Sequence, residues 1–186
     1  MIGQRDDIEL IKGCIRGVPA MQKELVRRYA ASLMSVARRY ARHTPEAEDI
    51  LQEAFISIFE KISTYDPNKG ALGAWMRRIV VNKALMLYRK AHFQLEQSTD
   101  QLPETLEDVP EQVSPLNYDE IMALVAQLPE YARVVFNMAV IDGYKHEEIA
   151  EALQIPPGTS RSLLSRARKI LQAKMIALQK NELAGI

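Results

Sequence analysis

Apolar residues recur at three- and four-residue intervals along most of the chain, and no stretch alternates with a period of two. The pattern therefore predicts helices and no strands. From Pro19 to Arg42 the recurring positions are Leu25, Tyr29, Leu33, Val36, Ala37 and Tyr40. From Pro45 to Ile62 they are Ile50, Leu51, Ala54, Phe55, Ile58, Phe59 and Ile62. Both prolines suit the first turn of a helix, where a backbone N–H has no partner anyway, and Thr44 is placed to cap the second helix. The run TYDPNKG, Thr64 to Gly70, has the composition of a turn, and a third long helix is predicted over 71–93. Two helices are predicted over 118–127 and 129–141, the second ending near Asp142 and Gly143. A short helix over 146–153, a turn over 154–158 and a long helix over 159–180, capped by Thr159 or Ser160, complete the pattern.

Between the two sets of helices, QLPETLEDVPEQVSP (Gln101 to Pro115) has three prolines, no basic residue and no period, the signature of an extended linker. The expected fold class is all-α: two small helical domains, 1–95 and 117–186, joined by a flexible acidic linker, 96–116. A chain of 186 residues that is 47% apolar has room for two such cores and too much apolar surface to stay disordered. Cys14 is the only cysteine, which excludes an intramolecular disulfide and a cysteine-based zinc site and suits a reducing compartment. The longest uninterrupted apolar run, Ile121 to Ala126, is far short of the roughly 18 residues of a membrane span. The start, MIGQRDDIEL, carries acids where a signal peptide needs a basic end and an apolar stretch. A soluble, cytoplasmic protein without membrane insertion is expected.

Charge is balanced overall, with 24 basic and 24 acidic residues, but it is segregated. Residues 1–95 hold 16 Lys/Arg against 10 Asp/Glu, and residues 121–186 hold 8 against 6. Residues 96–120 hold eight acids and no base: Glu96, Asp100, Glu104, Glu107, Asp108, Glu111, Asp119 and Glu120. Two basic bodies are separated by an acidic strap. The strap is either a solvated linker, or a segment that lies in a positively charged channel of a partner or shields the basic faces.

Three constellations bear on function. The first is HEEIAEALQIPPGTSRSLLSRARKIL, in which a short helix with apolar Ile149, Ala150 and Leu153 meets a tight turn. A second helix with apolar Leu164, Ala167 and Leu171 follows, which is helix-turn-helix spacing. Its other face carries Arg161, Ser162, Ser165 and Arg166, side-chain types that reach base edges and phosphates in a major groove. An ordinary helical hairpin with a solvated basic face is the plainer alternative. The second constellation, WMRRIVVNKALMLYRKAHF, has five Lys/Arg and no acid over 71–93, with Trp75, Tyr88 and Phe93 interleaved. Aromatic faces beside cations suit unstacked bases and their phosphates, while Trp75, Ile79 and Leu87 are equally candidates for the core. The third is EAEDILQEAF, which places Asp49, Gln52, Glu53 and Ile56 on one helix face. Neither a nucleophile with its base nor a metal-ligand spacing lies nearby, and His43, His92 and His146 are isolated in sequence. A docking face for a basic protein surface is the better account, and no enzyme, cofactor or metal is expected.

Taken together, EAEDILQEAFISIFEKISTYDPNKGALGAWMRRIVVNKALMLYRK resembles region 2 of the bacterial extracytoplasmic-function sigma factors. The run LPEYARVVFNMAVIDGYKHEEIAEALQIPPGTSRSLLSRARKIL resembles their region 4. The resemblance implies a protein that binds core RNA polymerase and directs initiation at promoters of two elements. It assigns core polymerase binding to Asp49, Gln52, Glu53 and Phe55. It assigns reading and melting of the minus-ten element to the loop 65–72 and the helix after it, through Asn68, Lys69, Trp75, Arg78, Asn82 and Lys83. The minus-thirty-five element falls to Arg161, Ser162, Ser165 and Arg166. Core polymerase and promoter DNA are the implied partners, with an anti-sigma protein in many members of the group. The sequence departs from the family where Gly17-Val18-Pro19 replaces a common Gly-Asp pair, and where Ser160 and Leu163 stand at positions often β-branched or basic.

A stand-alone helix-turn-helix regulator would use residues 118–180 but leave the Asp49/Gln52/Glu53 face idle. A helical adaptor that binds only protein would show no dependence on DNA sequence. Since phosphate neutralisation supplies most non-specific DNA affinity, a chain of zero net charge should bind promoter DNA weakly on its own and gain affinity on polymerase. Titration of labelled promoter DNA with free protein and with holoenzyme checks this; equal affinity and selectivity in the two would contradict it.

Overall fold

The computed structural model describes residues 2–93 and 117–184, and every regular element within them is helical. The chain divides into two units, Met1–Gln94 and Leu95–Ile186. The acidic linker expected at 96–116 lies outside the described residues. Of the acidic strap, Asp119 and Glu120 fall in the first turn of a helix.

The first unit contains helices α1 (Ile2–Ile15), α2 (Pro19–Tyr40), α3 (Thr44–Lys61) and α4 (Leu72–Phe93). The apolar stripes of α2, α3 and α4 meet one another, because each has one wide apolar side that water penalises. Leu25, Leu33, Val36 and Tyr40 of α2, Ile50, Ala54 and Ile58 of α3, and Leu72, Met76, Val80 and Leu85 of α4 are buried. Helix α1 adds a layer that the sequence reading does not anticipate. Its Leu10, Ile11 and Cys14 are buried, and α1 lies against α2 and the 3-10 turn Ile62–Thr64. Asp7, Leu10, Ile11 and Cys14 do follow the i, i+3, i+4, i+7 rule, but over too few residues to stand out. The close approach of α1 and α2 requires Gly13, where a Cβ would collide with the Met21 side chain.

Several local expectations change. The cap of α3 is His43, whose Nδ1 accepts from the Glu46 N–H at 3.2 Å, and Thr44 is already helical. Leu87, a candidate for the core, is 37% exposed. It lies two positions from buried Leu85, which in a helix of about 3.6 residues per turn puts it on the opposite side.

The second unit contains α5 (Tyr118–Ala126), α6 (Glu130–Phe136), α7 (His146–Leu153) and α8 (Pro157–Ala184). Helix α6 continues into a π turn over Asn137–Ile141 rather than staying α-helical to its end. Asn117 caps α5 reciprocally: Glu120 N–H donates to Asn117 Oδ1 at 3.0 Å, and Asn117 N–H donates to Glu120 Oε2 at 2.8 Å. Helix α8 packs on α5, α6 and α7, and buries Leu164, Ala167 and Leu171 against a core that includes Val135, Met138 and Ile149. Among the described residues, no helix is long and apolar enough to cross a membrane.

In the first unit Tyr29 Oη donates to Asp7 Oδ1 at 3.2 Å and Oδ2 at 3.3 Å, tying α2 to α1. Burial foremost, then the Asp7 charge and this bond, push the Tyr29 phenol up to about 12 from 10.0. Because the folded value is raised, the stabilisation is fully present below pH 10 and is lost as pH rises towards about 12. Alkaline unfolding should therefore begin in that window and be blunted in Tyr29→Phe. Identical alkaline midpoints in the two proteins would contradict the assignment.

Candidate functional site

The chain between α3 and α4 is laced by its own side chains. After the 3-10 turn Ile62–Thr64, Asp66 Oδ1 accepts from the Asn68 N–H at 2.9 Å and from Asn68 Nδ2 at 3.1 Å, starting a second 3-10 turn over Pro67–Lys69. Gly70 follows with φ of 140°, a conformation a side chain would strain. Tyr65 Oη donates to the Gly70 carbonyl at 2.8 Å and closes the loop. The Tyr65 ring then lies against Trp75 in the first turns of α4, with centroids 5.7 Å apart and planes tilted by 58°.

A pocket of about 310 Å³ opens at this point, lined by Tyr65, Asp66, Lys69, Trp75 and Arg78 among others. That is the lower end of the volume range of small-ligand sites, roughly 300–1,000 Å³. It offers two aromatic rings, two cations and a carboxylate, a set that can stack a flat ring, hold a phosphate and accept a hydrogen bond. Trp75 is half-buried, so it serves the core and the pocket together. Trp75, Arg78 and Asn82 sit at i, i+3 and i+7 on one face of α4, and both Arg78 and Asn82 are exposed.

On α3, Asp49, Gln52, Glu53 and Ile56 are all exposed and share a face, as their spacing implies. Phe55 is half-buried and stacks on Phe59 at 6.2 Å. It is therefore packed beside that face with part of its ring exposed. Lys83 Nζ is 3.4 Å from Glu53 Oε2, so one member of the expected polymerase-binding set touches one member of the expected DNA-binding set. At this exposure the pair is worth about 0–1 kcal/mol.

In the second unit the turn before α8 is shorter than 154–158. Gln154 takes the left-handed conformation (φ 57°), and Ile155 N–H donates to the Ala150 carbonyl at 3.1 Å. Ser160 N–H already donates to the Pro156 carbonyl at 3.2 Å, so α8 begins at Pro157 and neither Thr159 nor Ser160 caps it. Ser160 is instead fully buried, and its Oγ hydrogen-bonds His146 Nδ1 at 2.9 Å, joining the starts of α7 and α8. Arg161, Ser162 and Ser165 are exposed and Arg166 is half-buried. Ser162 Oγ donates to the Thr159 carbonyl at 2.9 Å, and Arg161 reaches Glu147 of α7 at 3.5 Å. The sequence reading missed Glu147 and the His146–Ser160 bond, because both pairs span a turn whose geometry is set only by folding.

The residues of the aromatic, cation-rimmed pocket and those of the helix-turn-helix fall within two segments matched by family models. The family model for Sigma-70 region 2 matches residues 25–93, α2 through α4, and that for Sigma-70, region 4 matches residues 118–171, α5 into α8. The chain belongs to the sigma-70 family. Its relatives include the ECF RNA polymerase sigma factor SigE of Mycolicibacterium smegmatis, 33% identical over 159 residues that span 80% of this chain and 59% of that protein. The RNA polymerase sigma-H factor of Pseudomonas aeruginosa is 28% identical over 184 residues, 92% of this chain and 94% of that protein. Among solved structures, the sigma factor RpoE of Bartonella quintana, crystallised with the anti-sigma factor NepR, matches with a TM-score of 0.49. It is 22% identical and covers 81% of this chain and 94% of that one.

The chain is thus an extracytoplasmic-function sigma factor, within a class of non-catalytic transcription initiation factors. Helix α1 precedes the residues matched to region 2, and α8 runs on beyond those matched to region 4.

Because His146 Nδ1 and Ser160 Oγ hold the two helices of sigma region 4 together across their turn, Ser160→Ala should destabilise the second unit. The expected cost is about 1 kcal/mol, read as a shift in denaturant midpoint at constant slope. An unshifted midpoint would mean that water replaces the serine at no cost.

Proposed function

We propose that this sigma factor carries core RNA polymerase to two-element promoters, with its work divided among three surfaces. The exposed Asp49, Gln52, Glu53 face of α3, with Phe55 beside it, docks on a basic surface of core polymerase. The loop of Asn68 and Lys69, with Trp75, Arg78, Asn82 and Lys83 of α4, reads and helps to melt the minus-ten element. Arg161, Ser162, Ser165 and Arg166 of α8 read the minus-thirty-five element. The domain limits that go with this are 1–95 for the first body, 96–116 for the acidic linker and 117–186 for the second. The protein acts in the cytoplasm, where its template and polymerase are, needs no cofactor, and is open to control by an anti-sigma protein.

The observation that carries this reading is the Tyr65–Trp75 pocket. An aromatic floor with Lys69 and Arg78 around it has no use in a protein that meets only double-stranded DNA, whose bases are stacked, but it suits a base turned out of the duplex. A stand-alone helix-turn-helix regulator would need only α7 and α8.

Mixing the protein with purified bacterial core polymerase, followed by size exclusion, tests the first surface. Co-elution is expected, and it should be lost in the Asp49→Ala/Glu53→Ala protein. Failure of the well-folded wild type to co-elute would leave the free-standing regulator as the better reading. In run-off transcription with the holoenzyme, Arg161→Ala and Arg166→Ala should each cost roughly 1–3 kcal/mol for every base edge no longer held, with polymerase binding unchanged.

A further inference from the structure

Helix α1 lies outside the segment matched to region 2, yet through α2 it is connected to the start of α4, whose residues line the proposed minus-ten pocket. The connection runs through two side chains. Asp7, half-buried on α1, accepts from Tyr29 Oη at 3.2 Å and 3.3 Å through its two carboxylate oxygens. The Tyr29 ring in turn lies under the first turn of α4. Its Cε1 stands 3.4 Å from where a Cβ on Gly73 would be, so the ring faces the start of α4 at van der Waals distance from that position, across a residue that has no side chain of its own. Gly73 is followed by Ala74 and Trp75, both of which line the pocket. Among the described residues, Arg28 Nη1 stands 3.9 Å from Asp7 Oδ1, while its Nε is 2.6 Å from Glu24 Oε1. The tyrosine is thus the closer partner of this carboxylate.

We propose that Asp7 is a positioning residue for the minus-ten pocket: by fixing the Tyr29 phenol it sets the first turn of α4, and with it the Trp75 face against which an unstacked base would stack. The inference rests on the function proposed above and adds α1 to the DNA-melting apparatus. A site that binds an extruded base gains affinity when its walls are held before the base arrives, because less ordering remains to be done on binding. Tyr65 and Trp75 stand at the edge of an exposed loop, where that support is least available from the core. The position of Asp7 also carries its field to the second aromatic wall: burial foremost, then the charges of Asp7 and Asp66, raise the Tyr65 phenol.

The test uses reconstituted holoenzyme and fork-junction DNA from a promoter mapped by run-off transcription, with a fluorescent adenine analogue in the unpaired part of the minus-ten element. Asp7→Ala and Tyr29→Phe should each weaken binding of this DNA roughly 3–10-fold, the equivalent of one hydrogen bond, and diminish the fluorescence change. Asp7→Asn, which keeps an acceptor, should recover most of the loss. The Asp7→Ala/Tyr29→Phe double variant should be no worse than either single one, since the two act as a unit. Binding to core polymerase and to a duplex carrying only the minus-thirty-five element should stay as in the wild type. If Asp7→Ala proves unfolded, Tyr29→Phe, which removes a single oxygen, decides alone. Wild-type fork-junction binding in Tyr29→Phe, with Trp75→Ala impaired, would overturn the inference and leave the sigma reading in place. Wild-type binding in Trp75→Ala as well would remove the pocket reading on which it rests.

Discussion

The packing of α4 against α2 and α3 at once is the constraint on which the first unit depends. Leu72, Met76, Val80, Val81, Ala84, Leu85 and Tyr88 form a buried ridge along most of the helix. Each large side chain of that ridge contributes on the order of 1.5–3 kcal/mol when removed from water. No surface ion pair on this unit competes with such a sum. The Glu53–Lys83 pair, at about 0–1 kcal/mol, can adjust a side chain but cannot rotate the helix. The ridge therefore decides which face of α4 looks outward, and hence that Trp75, Arg78 and Asn82 line up beside the loop.

Charge is organised on two scales around that frame. Over the whole chain an acidic segment offsets two basic bodies. At the level of single side chains, basic groups proposed to face DNA stand beside acids of the same unit: Lys83 beside Glu53, and Arg161 beside Glu147. Both pairs are exposed and weak enough for a phosphate to displace the acid. The Glu53–Lys83 pair joins the proposed polymerase face to the proposed DNA face. A polymerase surface that claims Glu53 leaves Lys83 with one fewer partner of its own chain, so the neutral composition and the local pairs act in the same direction.

Much of this was legible in the sequence, for reasons that differ by element. Helices α2, α3 and α7 were legible because long or well-bounded apolar periods state which side is inside, whatever the neighbours do. The faces bearing Asp49, Gln52 and Glu53, and Arg161, Ser162 and Ser165, follow from that spacing alone. Helix α1 was not, since the buried apolar side chains among its described residues are Leu10, Ile11 and Cys14, too few to show a period, and the acids beside them read as solvated. The cap of α3 is His43, one residue before Thr44, the commoner capping type. With Pro45 able to occupy either of the first two helical positions, His43 could take that place. The Tyr65–Trp75 contact and the Asp7–Tyr29 bond join residues ten and twenty-two positions apart, and such contacts have no local signature.

The start of α8 shows how a local conflict is resolved by tertiary structure. Gly158 is the residue that composition marks for the turn, yet the left-handed position is taken by Gln154, at a cost of about 1–2 kcal/mol for a residue with a Cβ. The arrangement persists because placing the bend at Gln154 lets Ile155 N–H bond back to Ala150 and leaves Pro157 at the first helical position, where its missing N–H costs nothing. It also brings Ser160 inward to His146, which a helix starting at Thr159 would not do. The strained residue and the buried hydroxyl are thus two ends of one device. The bend fixes where α8 begins, and the hydrogen bond fixes its position against α7. Arg161 and Ser162 therefore project from a helix already held at its root.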